Sequence, residues 1–178
     1  MSFLVRKLNK RDQLNTLVDY EDIGNIYADV PTNEFRTTKG TLSTWIIDTL
    51  EDLDDAVLAI AVSSSKISKM DFIIIDTDLL DKNGLEYKQT YAGMDIPIPD
   101  LQDTHYDIIN ISLNKLIDCT NVYKTIFLGE NADTEKFIIR FTESEIKEKL
   151  KKLIAQNRID KNKASKSIRE VIEKLSVA

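Results

Sequence analysis

The chain contains the run Met70-Asp71-Phe72-Ile73-Ile74-Ile75-Asp76, in which four large apolar residues follow one another without a polar break. A strand with one side in water alternates apolar and polar residues. A continuous apolar run is instead typical of a strand buried on both faces. The run therefore predicts an inner strand of a sheet covered on both sides. We accordingly predict a single small mixed-sheet domain of the α/β (or α+β) class.

The segments around this run carry signals for further helices and strands. A helix is predicted to begin at Asp48 or Thr49, because acidic residues fill its first turns and apolar residues then recur at helical spacing. A second helix is predicted from Asp103 onward. Further strands are predicted at 3–8, 26–30, 34–38, 42–47, 85–91, 125–128 and 136–141. The last two are predicted to form a hairpin around a turn at 129–133.

The C-terminal part of the chain predicts two amphipathic helices. Thr142-Glu143-Ser144-Glu145 has the spacing of a capping box, in which a hydroxyl and a carboxylate satisfy free N–H groups at a helix start. Apolar residues then recur at helical spacing over 146–154 and 168–175. We therefore predict an α/β domain over residues 1–141 and a helical hairpin over residues 142–178, packed on that domain or on a partner.

Charge is divided between these two parts. Ten Lys/Arg and four Asp/Glu lie between Ile146 and Ala178, whereas the rest of the chain carries 14 Lys/Arg and 26 Asp/Glu. Such a division predicts a basic surface that meets an acidic partner. The net charge of −6 argues against non-specific nucleic-acid binding by the body of the protein, so only the C-terminal part suits that role.

Composition narrows the class of protein further. The single cysteine, Cys119, precludes an internal disulfide and is expected to be a buried apolar side chain in a reducing compartment. The N-terminus lacks the apolar region of a secretion signal, and no segment approaches the roughly 20 apolar residues that span a bilayer. We expect a cytoplasmic protein without membrane contact. The five glycines are too scattered for a phosphate-cradling loop, so no cofactor is predicted.

Asp76, Asp78 and Asp81 form one candidate site directly after the buried run. Carboxylates at the end of an inner strand lie where α/β proteins often bind ligands, and alternate positions direct oxygen ligands toward one Mg²⁺. This interpretation predicts a Mg²⁺-dependent nuclease or phosphotransferase. The alternative is structural, because Asp after a strand commonly starts a turn or caps a helix.

His105 and Trp45 are the other residues with distinctive chemistry. His105 is surrounded by aspartates, which suits a general base or a metal ligand, but the alternative is a surface histidine near a helix start. No second histidine and no nucleophile motif accompanies it. Trp45 is interpreted as a core residue or as a partner-contacting aromatic.

Basic residues of the predicted hairpin are candidate contacts to protein or nucleic acid. The hairpin lacks base-reading side chains at a helix start and lacks aromatic residues for stacking, so a docking or solvated face and contact with phosphates both remain open. The candidates are Lys147, Lys151, Arg158, Lys161, Lys163, Lys166 and Arg169.

Four stretches of the chain resemble a group of small bacterial proteins. They are Ser2-Phe3-Leu4-Val5-Arg6-Lys7-Leu8, Thr41-Leu42-Ser43-Thr44-Trp45, Leu53-Asp54-Asp55-Ala56-Val57-Leu58-Ala59, and residues 153–175. The group comprises the companion subunits encoded beside ABC- or SMC-like ATPases in phage-defence operons (Lamassu-type and three-component ABC systems). The resemblance implies a non-catalytic subunit that associates with the ATPase and with a separate effector. It carries over no functional residue.

These observations lead to three hypotheses. The first is an accessory subunit of a bacterial anti-phage assembly, with the ATPase, the effector or both as protein partners and with DNA contact through the hairpin or through the complex. The second is the Mg²⁺-dependent enzyme centred on Asp76 and Asp78. The third is a nucleic-acid-binding protein that acts through its C-terminal part.

Overall fold

The fold is built on a six-stranded sheet with the strand order β4-β5-β2-β1-β3-β6. The computed structural model describes residues 2–90, 96–129 and 137–177. The strands are β1 (Phe3–Leu8), β2 (Leu42–Ile47), β3 (Met70–Asp76), β4 (Glu86–Gln89), β5 (His105–Ile109) and β6 (Ile138–Phe141). Every neighbouring pair in this order is antiparallel.

Helices cover both faces of the sheet. The α-helices are α1 (Arg11–Leu14), α2 (Asp29–Glu34), α3 (Leu53–Ser63), α4 (Thr77–Lys82), α5 (Leu113–Leu128), α6 (Glu143–Ala155) and α7 (Lys166–Val177). Short 3₁₀ turns lie at Asn15–Asp19, Ile23–Asn25, Leu50–Asp52, Pro99–Thr104 and Lys161–Lys163. The predicted α/β class is therefore confirmed.

The run at the centre of β3 is buried on both sides, as its composition predicts. Residues 72–75 are all 0 % exposed. Because side chains alternate along a strand, Phe72 and Ile74 enter one core while Ile73 and Ile75 enter the other. Full burial of an isoleucine side chain is worth roughly 2–3 kcal/mol relative to exposure, so this strand anchors both cores.

The two cores define two helical layers. The hairpin layer consists of α3, α6 and α7, which pack on one face of the sheet through residues such as Val57, Leu150 and Ile172. The α5 layer consists of α1, α2 and α5, which pack on the other face through residues such as Leu14 and Val122. Within the described ranges, no helix combines the length and the apolar composition that crossing a bilayer requires.

The predicted capping box is present at the start of α6. The Thr142 hydroxyl oxygen accepts a hydrogen bond from the Glu145 N–H at 3.2 Å, and the Glu145 carboxylate accepts one from the Thr142 N–H at 2.7 Å. Helices α6 and α7 follow the predicted apolar repeats, and Ile146 and Ile168 are completely buried. The hairpin thus packs on α3 and on the sheet.

Several predicted elements differ from the structure. Residues predicted as strands at 26–30 and 34–38 lie in α2 and in irregular backbone, and residues 125–128 form the last turn of α5. The helix predicted from Asp103 is instead a 3₁₀ turn followed by β5, and α5 begins only at Leu113. Gly129 ends α5 with a φ of 64°, and the remainder of the predicted turn, 130–133, falls outside the described residues.

Candidate functional site

Asp76 caps α4. Its carboxylate accepts a hydrogen bond from the Asp78 N–H at 2.9 Å, which is the structural role that the sequence left open for it. Asp78 and Asp81 are exposed. Because β1 and β3 are antiparallel, the C-terminal end of β3 lies beside the N-terminal end of β1. The predicted ligand site needs the C-terminal ends of neighbouring strands at one edge, and this pairing does not provide it. Among the described residues, no group of three or more His, Cys, Asp or Glu side chains is placed to hold a metal ion.

Three of the predicted basic contact residues have partners within the protein. Arg158 binds the Asp55 carboxylate at 2.9 Å and the Asp100 carboxylate at 2.6 Å, which ties the turn after α6 to α3. Lys147 pairs with Glu143 on the same helix. Arg169 donates to the backbone carbonyl oxygens of the turn before α7. These side chains stabilise the hairpin layer.

Other lysines of the hairpin point into solvent. Five of them are exposed and have no hydrogen-bond or ion-pair partner among the described residues: Lys151, Lys152, Lys161, Lys166 and Lys174. Lys163 is half-buried in the 3₁₀ turn between the helices. We call the five exposed lysines the lysine surface. Exposed carboxylates of the same helices, namely Glu148, Glu170 and Glu173, lie among them, so the layer as a whole is of mixed charge.

The outer side of α5 carries large apolar side chains in solvent. Leu113, Ile117 and Leu128 are 79 %, 54 % and 44 % exposed. At 100° per residue these three positions fall within about 60° of one another, so they share one side of the helix. We call them the α5 apolar face. The three side chains are spread over about 22 Å of helix, with Asn121 and Lys124 between Ile117 and Leu128 on the same side. Exposed apolar side chains that share one side of a helix can form the contacts of an interaction site.

An acidic segment of the same chain, residues 11–35, borders the α5 apolar face. Lys124 lies on the same side of the helix and donates to the Glu21 carbonyl oxygen at 2.9 Å, which places residues 19–22 beside it. Residues 11–35 contain six Asp/Glu and one Arg. Tyr27, 71 % exposed, stacks edge-on against Tyr20 in this acidic segment. The segment beside α5 therefore carries a net negative charge.

His105 is not the surface residue at a helix start that the sequence suggested. It lies in β5, is 5 % exposed, and its Nε2 is 2.7 Å from the Ser43 hydroxyl oxygen. Its Nδ1 is 2.9 Å from the Thr90 carbonyl oxygen. The Thr90 hydroxyl in turn donates to the Asp107 carboxylate at 2.9 Å. Ser43 of β2, Thr90 directly after β4 and Asp107 of β5 are thereby joined with the imidazole in one hydrogen-bonded network.

Trp45 lies in the core beside this imidazole and is not a surface residue. It is 6 % exposed, and its ring meets the His105 ring edge-on with 4.6 Å between centroids. Its indole Nε1–H is buried and has no hydrogen-bond acceptor among the described residues. Ser43 and Trp45 line an open cleft of about 270 Å³, together with Lys7, Asn9 and the C-terminal end of α3.

Sequence reasoning missed Ser43, Thr90 and the α5 apolar face. The predicted strand over 42–47 already places Ser43 and Trp45 on one face, two residues apart. Their proximity to His105 depends on the pairing of β2 with β5, which are far apart in the chain. Leu128 was missed because residues 125–128 resemble a strand. Leu113 and Ile117 were missed because the helix predicted from Asp103 has apolar residues around much of its circumference. No family model, no curated protein and no solved structure matches the chain.

Proposed function

We propose that the protein is a cytoplasmic accessory subunit of a bacterial multi-protein assembly. The assembly is an anti-phage defence complex with an SMC- or ABC-type ATPase and a separate effector. The resemblance of four stretches of the chain to such companion subunits supports this proposal. The observation that carries it furthest is the α5 apolar face, because an isolated subunit gains nothing from leaving three large apolar side chains in water.

The partner at the α5 apolar face is a basic protein surface with apolar side chains at its centre. Leu113, Ile117 and Leu128 supply the apolar contact, while the acidic residues at 19–22 form a rim of negative charge. Interfaces commonly combine an apolar centre with a charged rim that selects the partner. An acidic partner would meet like charge at this rim.

Co-purification with the products of neighbouring genes tests the proposal. We expect wild-type protein to retain at least one neighbour at moderate salt, and Ile117→Asp to lose it. The matched control is Asn114→Asp. Asn114 is an exposed residue of the same helix, so this variant adds the same negative charge but removes no apolar side chain. A chain that purifies alone at every salt concentration would contradict the proposal. So would a complex that survives Ile117→Asp.

A second candidate function is favoured by the lysine surface. The hairpin layer carries five exposed, unpaired ammonium groups, which suit contact with the phosphates of a nucleic acid. Such contacts release the counterions that surround the phosphates, and this release favours binding. In this role the subunit holds a protein partner on its α5 layer and DNA on its hairpin layer. The two functions are compatible, because the surfaces lie on opposite faces of the sheet.

A further inference from the structure

We propose that Ser43 and His105 form a nucleophile and general base that hydrolyse carboxylic esters. This inference goes beyond the docking role, because it assigns the protein a reaction of its own. It rests on the hydrogen bonds around His105 and on the cleft that Ser43, Trp45 and Lys7 line.

The hydrogen-bond pattern fixes which imidazole nitrogen carries the proton. The Thr90 hydroxyl donates to the Asp107 carboxylate, so its oxygen can only accept from the His105 Nδ1 at 3.0 Å. The Thr90 carbonyl oxygen, also beside Nδ1, is an acceptor as well. Nδ1 therefore carries the hydrogen. In the neutral ring Nε2 is then an acceptor, and the Ser43 O–H donates to it at 2.7 Å.

This pattern is the one required to activate a serine. A base that accepts the hydroxyl proton lies within hydrogen-bonding distance, and a third group orients the base from behind. Here the orienting group is the Thr90 carbonyl, supported by the hydroxyl that links to Asp107. His105 is also immobilised, since it is 5 % exposed and packs against the Trp45 ring.

The sheet register places the pair on one face. Trp45 pairs with His105 and Ser43 pairs with Asp107, so Ser43 and His105 are diagonal neighbours on adjacent strands. Ser43 itself is exposed, whereas the imidazole is buried behind it. A ligand in the cleft thus reaches the hydroxyl without displacing His105.

Lys7 supplies the stabilisation of negative charge. It lines the same cleft as Ser43. We assign its ammonium group to the oxyanion that forms during attack at Ser43. Trp45 is two residues from Ser43 on the same face of β2 and forms part of the cleft wall.

The reaction follows from these positions. As Ser43 Oγ forms a bond to the acyl carbon, its proton moves to His105 Nε2 and the carbonyl electrons move to the oxygen, whose negative charge Lys7 stabilises. When the carbon–oxygen bond to the alcohol breaks, the leaving oxygen takes the proton from Nε2. Water then attacks the acyl group, gives its proton to Nε2, and Ser43 leaves with that proton. The products are the free acid and the alcohol.

Reaction of the purified full chain with a fluorophosphonate probe, followed by peptide mass spectrometry, tests the assignment. We expect phosphonylation of Ser43 that is lost in Ser43→Ala and kept in Ser63→Ala. Ser63 is the matched control, because it is an exposed serine of the same cleft with no histidine partner. p-Nitrophenyl acetate should show hydrolysis that depends on Ser43 in the same way.

The role of the imidazole has its own test. We expect the labelling rate to fall about 100-fold in His105→Gln, since a positioned base contributes on the order of 10²–10⁴. If His105→Gln does not fold, Thr90→Val is the deciding variant, because it removes the hydroxyl that links His105 to Asp107. We expect its labelling rate to fall about tenfold. Failure to label Ser43, labelling of a different serine, or an unchanged rate in the folded deciding variant would each overturn the proposal. None of these outcomes bears on partner binding at the α5 apolar face.

Discussion

Arg6 and Glu34 form an ion pair in the α5 layer, with 3.8 Å between Nε and Oε1 and with Glu34 completely buried. The Arg6 guanidinium also donates to the carbonyl oxygens of Ser43 and Glu34, at 3.0 and 3.1 Å. The other Glu34 oxygen accepts from the Asn9 N–H at 2.8 Å. The pair thus fastens the end of α2 to β1 and β2.

Breaking this pair should destabilise the fold strongly. Removing one member of a buried ion pair leaves the other charge unpaired, which costs on the order of 3–5 kcal/mol. We expect Glu34→Ala and Arg6→Ala each to lower the free energy of unfolding by about 3 kcal/mol in urea titrations. The double variant should lose clearly less than the two single losses together. Strict additivity would show that the two side chains do not stabilise each other.

The pH dependence of stability should have opposite signs at Glu34 and Asp71. Burial raises the pKa of Glu34, although the Arg6 charge and the N–H groups of Asn9 and Lys10 oppose it. Ionisation is therefore less favourable in the folded state. The stability that Glu34 contributes is present below its unfolded pKa and is lost as the pH rises through the higher folded pKa. As the pH rises from the unfolded to the folded pKa of Glu34, the wild type should lose stability relative to Glu34→Gln, as measured by urea unfolding at each pH.

Asp71 behaves in the reverse manner. Burial raises its pKa, but hydrogen bonds from Arg140 and Arg11 together outweigh burial, so the pKa is lowered. Its contribution is present above the unfolded pKa and is lost as the pH falls through the lower folded pKa. We expect Asp71→Asn to cost about 2 kcal/mol at pH 7 and much less in acid, as measured by urea unfolding at each pH. A difference in unfolding free energy between Asp71→Asn and the wild type that stays the same at every pH would contradict this assignment.

Cys119 should be unreactive until the protein unfolds. It is 2 % exposed on the inner side of α5, and burial raises the pKa of its thiol to about 12. Thiolate is the reactive form, so iodoacetamide at pH 8 should leave native protein unmodified and alkylate it fully in urea. Rapid alkylation of the native protein would mean that α5 opens readily. The same assay checks whether each variant described above is folded.

The capping box makes a prediction about the hairpin layer. The Thr142 hydroxyl satisfies the Glu145 N–H at the start of α6. Thr142→Ala should therefore lower the free energy of unfolding by about 1 kcal/mol. Ser144→Ala is the matched control, because Ser144 is exposed in the same turn and is not the capping residue. Equal losses in the two variants would show that the cap contributes nothing.

The elements that the sequence predicted well are those with strong local signals. The apolar run of β3 and the capping box of α6 specify their own structures, since burial on two faces and reciprocal capping depend on neighbouring residues. Residues 125–128 show the opposite case. Their β-branched and aromatic side chains favour a strand, but a helix that begins at the Ser112 cap continues through them and buries Ile126. Tertiary packing overrides the local preference.

The candidate sites depended even more on distant contacts. Residues 105–109 have an apolar pattern that also fits a helix, and they form a strand because they pair with β2 and β4. Asn110, with a φ of 57°, separates this strand from α5. Only that pairing brings His105 to Ser43. By contrast, the basic hairpin was evident from composition, because a solvated charged face needs no particular partner to form.

The lysine surface gives a final prediction about nucleic acid. If it binds duplex DNA, the logarithm of the affinity should fall linearly with the logarithm of the salt concentration, by about 0.9 per phosphate contact. Replacing all five lysines of the surface by Gln should flatten that slope and weaken binding by more than tenfold at low salt. The control replaces five exposed lysines outside the hairpin layer, namely Lys10, Lys39, Lys69, Lys82 and Lys88. Because both variants lose the same charge, an equal loss of affinity would assign DNA contact to net charge and not to the hairpin.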